Sequence, residues 1–323
     1  MPRPRRYYAA NAVYFATARV AEGLPFIPDE FMNGLILGVL GRSLHLFPVI
    51  ICDYIFMPNH FHLLFVCKDP QLVQGFFCYL KGEIATILNR LRGRMGPIWQ
   101  GRTDTPVILD AEKVLETLIY LYTNPQAAGL VESIQEYPGV SSWDAINGKT
   151  TSGDHAWIRS SELPKIPRGR DEKTFRAAVY TKLLKDNREK YQISLSPLAW
   201  VDCFGESAGM TKDEARNRLV TAVREKEQML HMDRKGNVIG SRNLANQSIH
   251  RSYYPRKYGR RVFCMSSYLE LRKVFIEFYR SFVCECREVY MKWKMGITSL
   301  PLPLGAFAPP LPLLAVALFT ADS

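Results

Sequence analysis

The chain has 323 residues, 47% of them apolar, and seven cysteines (Cys52, Cys67, Cys78, Cys203, Cys264, Cys284, Cys286) in no CxxC pair, which fits a folded chain with reduced thiols and argues against a zinc ribbon or a disulfide framework. Thirteen Lys+Arg balance thirteen Asp+Glu in residues 1–150, so the net charge of +11 falls wholly on residues 151–323 and makes a polyanion the natural partner of that half. No run reaches the roughly 18 apolar residues that span a bilayer, and the start, MPRPRRYY, lacks the apolar stretch of a secretory signal, so a cytoplasmic protein with no membrane partner is expected.

Residues 13–18 are rich in strand formers, and 29–40 carry Phe31, Leu35, Ile36 and Val39 at helical spacing. Residues 47–56 read as a buried strand, and a turn at Met57-Pro58-Asn59 leads into a second, 60–66, as in a hairpin. Asp69 followed by Pro70 is a cap with proline in the first turn, and Leu72, Phe76, Leu80, Ile84, Ile87 and Leu91 continue at helical spacing. After a break at 93–97 and an extended piece at 98–109, Asp110 caps another helix. That helix is expected to end at Asn124, because the residue before a proline avoids the helical region.

This order predicts an α+β fold of ferredoxin-like type, an antiparallel sheet with helices on one face and the other face left for chemistry. Residues 147–170, rich in Gly, Ser, Thr, Pro and Arg, read as a linker between a first domain, 1–146, and a basic, mostly helical second region, 171–323. In the latter, helices are expected at 172–191, at 211–229 behind a Thr211/Glu214 capping box, and at 267–294. The apolar stretch 311–319 is nine residues long and follows Pro309 and Pro310, so it is expected to pack on the body.

Strand alternation puts His60 and His62 on one side, roughly 7 Å apart at about 3.3 Å per residue, with Phe61, Leu63 and Phe65 turned into the core. Taken alone, an HxH pattern also describes paired surface or core histidines. On the helix opened by Asp110, however, Glu116, Tyr120 and Asn124 share one stripe, while Val114, Leu118 and Leu121 take the packing face. An Asn oxygen added to two imidazoles gives a mixed N/O donor set that suits Mg or Mn better than zinc. Tyr122 points elsewhere and reads as an ordinary packed tyrosine.

The strings MPNHFHLLF (57–65), LIYLYTNPQAAGLV (118–131) and YPGVSSW (137–143) resemble the HUH single-tyrosine transposases of insertion sequences, most closely the REP-associated tyrosine transposases. In that family the helix motif reads approximately Y-x-x-x-NP-x-x-AGLV. PRPRR at the start and IWQGR (98–102) are similar to it too, and the resemblance covers roughly residues 1–145. It implies an HUH nuclease domain over 1–146 in which His60 and His62 bind a catalytic Mg or Mn ion, Asn124 takes the place of the third protein ligand, and Tyr120 is the nucleophile. The implied activity is cleavage and rejoining of single-stranded DNA near hairpins through a 5′-phosphotyrosine, which preserves the bond energy so that no ATP is needed. The phenol must lose its proton as it attacks; Glu116, one turn earlier, is the candidate base, set against a plainly solvated carboxylate. TARVAEGLP after the first strand departs from the family's Arg-Gly turn.

Residues 234–261 hold eight Lys or Arg (Arg234, Lys235, Arg242, Arg251, Arg256, Lys257, Arg260, Arg261) and no Asp or Glu, interleaved with Tyr253, Tyr254 and Tyr258. Cations for phosphates beside rings for bases suit single-stranded or hairpin DNA, although a solvated basic loop has the same composition. Together with Arg3, Arg5, Arg6 and Arg102 this run is expected to grip DNA, in a monomer or homodimer. Two rivals share the motifs: a non-catalytic hairpin-DNA-binding protein on the same fold, and a replication-initiator-type HUH nickase. The intact trio of His60, His62 and Tyr120 favours catalysis.

Overall fold

The computed structural model describes residues 5–169, 171–186, 188–254 and 262–307. In its first part β1 (Ala12–Arg19), α1 (Glu30–Leu46), β2 (Ile50–Met57), β3 (His60–Cys67), α2 (Pro70–Arg92), β4 (Val107–Ile108) and α3 (Ala111–Ala127) follow the expected order. Side-chain caps start the helices as the sequence dictates. Asp29 accepts from the Met32 N–H at 2.9 Å, Asp69 from Gln71 at 2.9 Å and Asp110 from Lys113 at 2.8 Å, each satisfying an N–H that the first turn leaves open.

The fold is α+β, with a main sheet in the order β2-β3-β1-β4-β7, where β7 is Cys264–Met265. All its pairs are antiparallel except β4 with β7, so the expectation of a purely antiparallel sheet holds only for the first four strands. Tyr14, Ala16, Ala18, Phe61, Leu63 and Phe65 face α1 and α2 in one core. Val13, Phe15, Leu64 and Val66 face the other way and join Val114, Leu115, Leu118 and Leu121 of α3 in a second. Two helices, α1 and α2, thus share one face as expected, and the correction concerns the other face, which α3 covers instead of leaving it free. An apolar helix stripe gains about 1.5–3 kcal/mol per buried large side chain, and the second face of the sheet offers the matching surface. Only the end of that face, where His60 and His62 replace apolar residues, is left for chemistry.

The helix α3 also runs through Pro125 to Ala127 instead of stopping before it. In the last turn proline forfeits one backbone bond only, and the end is tied down otherwise: the Asn124, Pro125 and Gln126 carbonyls accept from Ala128, Leu130 and Gly129, and the Gln126 amide donates to the Glu227 carbonyl at 2.8 Å.

The remaining elements are α4 (Trp143–Ile146), β5 (Ser152–Ala156), α5 (Glu172–Leu184), β6 (Lys190–Ser194), α6 (Ala199–Asp202), α7 (Lys212–Asp233), α8 (Ser241–Ala245) and α9 (Leu269–Lys294). Thr211 and Glu214 form the capping box at the start of α7. The expected linker is not a free connector: β5 pairs with β6, which follows α5, and the two-stranded sheet lies on α1. Gly38 and Gly41 make that approach possible, since a Cβ on Gly38 would sit 2.3 Å from the Ala156 carbonyl oxygen and one on Gly41 2.8 Å from that of Tyr191. Both cores draw on both halves of the chain. Ile158, Leu183 and Ile193 join the first, and Trp200, Leu219 and Val223 the second, so a boundary at 147–170 separates no independent cores.

A buried ion cluster adds a further tie. Arg176 of α5, 1% exposed, contacts Asp29 at 2.7 Å and Glu172 at 2.6 Å and donates to the Ala245 carbonyl at 3.2 Å, while Glu172 also accepts from the Ile249 N–H at 2.7 Å. Among the described residues all seven cysteines are free, and no helix is long and apolar enough to cross a membrane. The stretch 311–319 lies outside the described residues.

Candidate metal and nucleic-acid site

The tight β2–β3 turn places His60 and His62 on the strand next to β1, opposite Arg19 and Thr17 respectively. Their rings lie 4.8 Å apart, nearly perpendicular at 82°, and both are buried. The Phe15 ring stacks on His62 at 5.0 Å. His60 Nδ1 donates to Asn59 Oδ1 at 2.7 Å; a carboxamide oxygen only accepts, so the lone pair of His60 sits on Nε2. His62 Nδ1 lies 2.9 Å from Thr17 Oγ1, and donation there gives the same tautomer. Among the described residues neither Nε2 has a hydrogen-bond partner, although both are buried.

Electrostatics hold both imidazoles in the neutral form. Burial, and then the Arg19 charge, pushes His60 down to about 3. His62 is held well below its ordinary value by burial, by His60 and by Arg19.

From α3, the Tyr120 ring meets His62 edge to face, 5.4 Å between centroids, and is 52% exposed. Asn124 follows one turn later on the same stripe, its Nδ2 buried and without a partner among the described residues. A half-turn of the amide exchanges nitrogen and oxygen, so an oxygen ligand can be presented at the same position. Glu116 is engaged elsewhere: it pairs with Lys113 at 2.6 Å and accepts from the Ser267 hydroxyl at 3.3 Å. Among the described residues no cluster of three or more His, Cys, Asp or Glu could hold a metal.

Tyr122, buried on the back of α3, donates to the Asp53 carboxylate and lies 2.9 Å from the Ser142 hydroxyl. The YPGVSSW segment completes this support, with the Ser142 hydroxyl accepting from the Tyr54 N–H at 2.8 Å and the Tyr137 hydroxyl donating to the Phe56 carbonyl at 2.6 Å. Helix α3 is thereby pinned to β2 at the register shift between Ile51 and Asp53.

Burial, offset in part by the Tyr122 and Ser142 hydrogen bonds, pushes Asp53 up to about 7. A carboxyl raised on folding contributes its stability below the ordinary carboxylate range and loses it as pH rises through about 7. Asp53→Asn is accordingly expected to flatten the stability profile between about pH 4 and pH 8, and to exceed the parent above pH 7 by a few kcal/mol, at about 1.4 kcal/mol per unit. Urea denaturation across that range measures it; parallel profiles would contradict the assignment.

Asn59, Thr17, Arg19 and Asp53 were not singled out from the sequence. Asn59 is adjacent to His60 and could have been weighed there, whereas Thr17 and Arg19 emerge only from the register of β1 on β3.

The expected DNA-contacting cations divide into groups. The Arg251 and Tyr253 carbonyls accept from Leu24 (3.4 Å) and Gly23 (2.6 Å) in the loop after β1, and the neighbouring Val20 N–H bonds to Asn59. Arg251, Tyr253 and Tyr254 are thus exposed near the strand end that carries His60. Arg5, Arg6 and Arg102 line a separate cleft beside the middle of β1. Arg3, Arg256, Lys257, Arg260 and Arg261 lie outside the described residues.

Neither a protein-family model nor a curated protein matches this chain. A solved structure of a REP-associated tyrosine transposase bound to a REP hairpin is similar at a TM-score of 0.38 and 16% identity, over 46% of this chain and 87% of that one. At that level the likeness decides neither fold family nor function.

Proposed function

We propose that the chain is a divalent-metal-dependent nuclease and strand transferase of single-stranded DNA, built on a ferredoxin-like HUH core with Tyr120 as its nucleophile. One observation carries this reading: two adjacent neutral imidazoles, their ring centroids 4.8 Å apart, each have a buried Nε2 without a partner among the described residues, with the Tyr120 ring against His62. A purely structural histidine pair would satisfy those nitrogens, because a buried polar atom left without a partner costs about 1–3 kcal/mol. The order β2-β3-β1-β4, with α1 and α2 on one face, supports the ferredoxin-like core, and the motif resemblance supports the family.

His60, His62 and Asn124 would hold Mg or Mn, which when bound polarises a phosphodiester and offsets the charge that grows on its oxygens. The chain's own residues do the rest. Asn59 and Thr17 keep both lone pairs on Nε2, and Arg19 adds positive charge where an anionic backbone must sit. The half-exposed Tyr120 hydroxyl attacks phosphorus: an O–P bond forms to the phenol oxygen, the bond to the 3′-oxygen breaks, and the strand leaves as a 3′-hydroxyl. Glu116, committed to Lys113, is assigned no part as base. Arg251, Tyr253 and Tyr254 are suited to grip and stack the strand beside the site.

Incubation with Mn and a labelled single-stranded hairpin from the chain's genomic flank should yield a covalent adduct that peptide mapping assigns to Tyr120. An adduct on another residue, or none with any such hairpin, overturns the reading. Asn59→Ala and Thr17→Val should each weaken Mn binding roughly 10–100-fold without unfolding the chain, as loss of a ligand-orienting hydrogen bond does. Unchanged Mn affinity in calorimetric titration would argue that these bonds have no such role.

A further inference from the structure

A cleft beside the middle of β1 lies apart from the histidine pair. Three half-buried arginines, Arg5, Arg6 and Arg102, line it, and Asp104 is the one acidic side chain among the described residues of its wall. Among the described residues the side chains of Arg5 and Arg6 have no hydrogen-bond or ion-pair partner, and the Thr103 hydroxyl, also on the wall, is buried and equally unpartnered. We infer that this cleft holds a phosphate group, supplied by the backbone of a single DNA strand. Only the source of the phosphate rests on the nuclease reading.

Partly dehydrated guanidinium groups without a counterion are costly, and an anion offsets that cost while Arg forks match its oxygens pairwise. The size agrees. A cavity of about 70 Å³ takes a phosphate in place of a few waters but not a base with its sugar. The arginines are also held in advance. The Tyr279 hydroxyl donates to the Arg5 carbonyl at 2.7 Å, the Tyr8 and Thr105 hydroxyls lie 2.8 Å apart, and the Ala9 N–H donates to the Tyr14 hydroxyl at 2.7 Å. A binding segment fixed in this way loses little freedom when its ligand arrives. The Arg6 charge is felt nearby: Lys81 is pushed down to about 8, by burial first and by Arg6 second, with Asp104 opposing.

The cleft is linked to the histidines. Asp104 exchanges both backbone hydrogen bonds with Thr17, at 2.8 and 3.0 Å, and Thr17 is the residue that contacts His62.

The test uses the full-length chain, inorganic phosphate followed by calorimetry, and a labelled oligo-dT followed by anisotropy. Saturable phosphate binding is expected, weakened about tenfold or more by Arg5→Gln and by Arg6→Gln, less by Arg→Lys at either position, and several-fold by Thr103→Val. Melting temperatures should stay at the parental value, because these side chains make no hydrogen bond to the fold. Competition between phosphate and oligo-dT in the parent, lost in the Arg5→Gln/Arg6→Gln chain, assigns the phosphate to a DNA backbone. Phosphate binding that oligo-dT does not displace supports the cleft and assigns it a free phosphate. No saturable binding of either probe, or affinities that the substitutions leave unchanged, overturns the inference. Adduct formation at Tyr120, measured separately, would survive that outcome.

Discussion

Tyr120→Phe is expected to abolish strand cleavage, lowering the rate by at least about 10⁴-fold, while leaving the fold, metal affinity and hairpin affinity close to the parent. The substitution removes one oxygen and keeps the ring, so the edge-to-face contact with His62 persists. Tyr120 is 52% exposed and its hydroxyl makes no hydrogen bond that the fold depends on, so the change in stability should stay within about 0.5 kcal/mol. A loss of that size in turnover without a matching loss of binding marks a group that acts only during the reaction. Cleavage of a labelled hairpin under single-turnover conditions measures it. Retention of more than a tenth of the parental rate would place the nucleophile elsewhere, and a parallel loss of hairpin binding would make Tyr120 a contact residue instead.

The second large effect concerns stability. Arg176→Met should cost about 3–5 kcal/mol, a substantial part of the 5–15 kcal/mol that holds a typical domain folded. Arg176 is the one cation between Asp29 and Glu172 in the described cluster, and its removal leaves two carboxylates facing each other with little access to water. The damage should spread, because Asp29 caps α1 and Glu172 holds the Ile249 N–H. Adding Glu172→Gln to Arg176→Met removes one of the stranded charges and should recover part of the loss. Urea denaturation decides the point: a cost below about 1 kcal/mol, or no recovery in the double variant, would mean that the carboxylates reach solvent once the arginine is gone.

Why these particular features could be foreseen, and others not, follows from what periodicity encodes. A period of two puts His60 and His62 on one face and a period of 3.6 puts Tyr120 above Asn124, so which side chains share a face is written locally. Which face of the sheet receives α3 is not. The choice depends on matching Val114, Leu118 and Leu121 to Val13, Phe15, Leu64 and Val66, which lie far away in the chain. The partners that set the imidazole tautomers divide in the same way: Asn59 adjoins His60, but Thr17 meets His62 only through the β1–β3 register.

The misread pieces have equally specific causes. Ser152–Ala156 has the composition of a linker and becomes a strand because β6 and the glycines of α1 offer it a place. The rule that a residue before proline leaves the helix was overridden at Asn124, where the Gln126 amide and the backbone bonds of residues 128–130 hold the last turn.

The proposed chemistry requires the two imidazoles to share one ion. Calorimetric titration of the metal-free chain with Mn, near neutral pH and without DNA, measures this directly. It should give one ion per chain, with affinity lowered at least about 100-fold in His62→Ala and roughly 10-fold or more in Asn124→Ala, and little altered in Tyr120→Phe. No saturable Mn or Mg binding by the parent, or binding that survives His62→Ala unchanged, would contradict it.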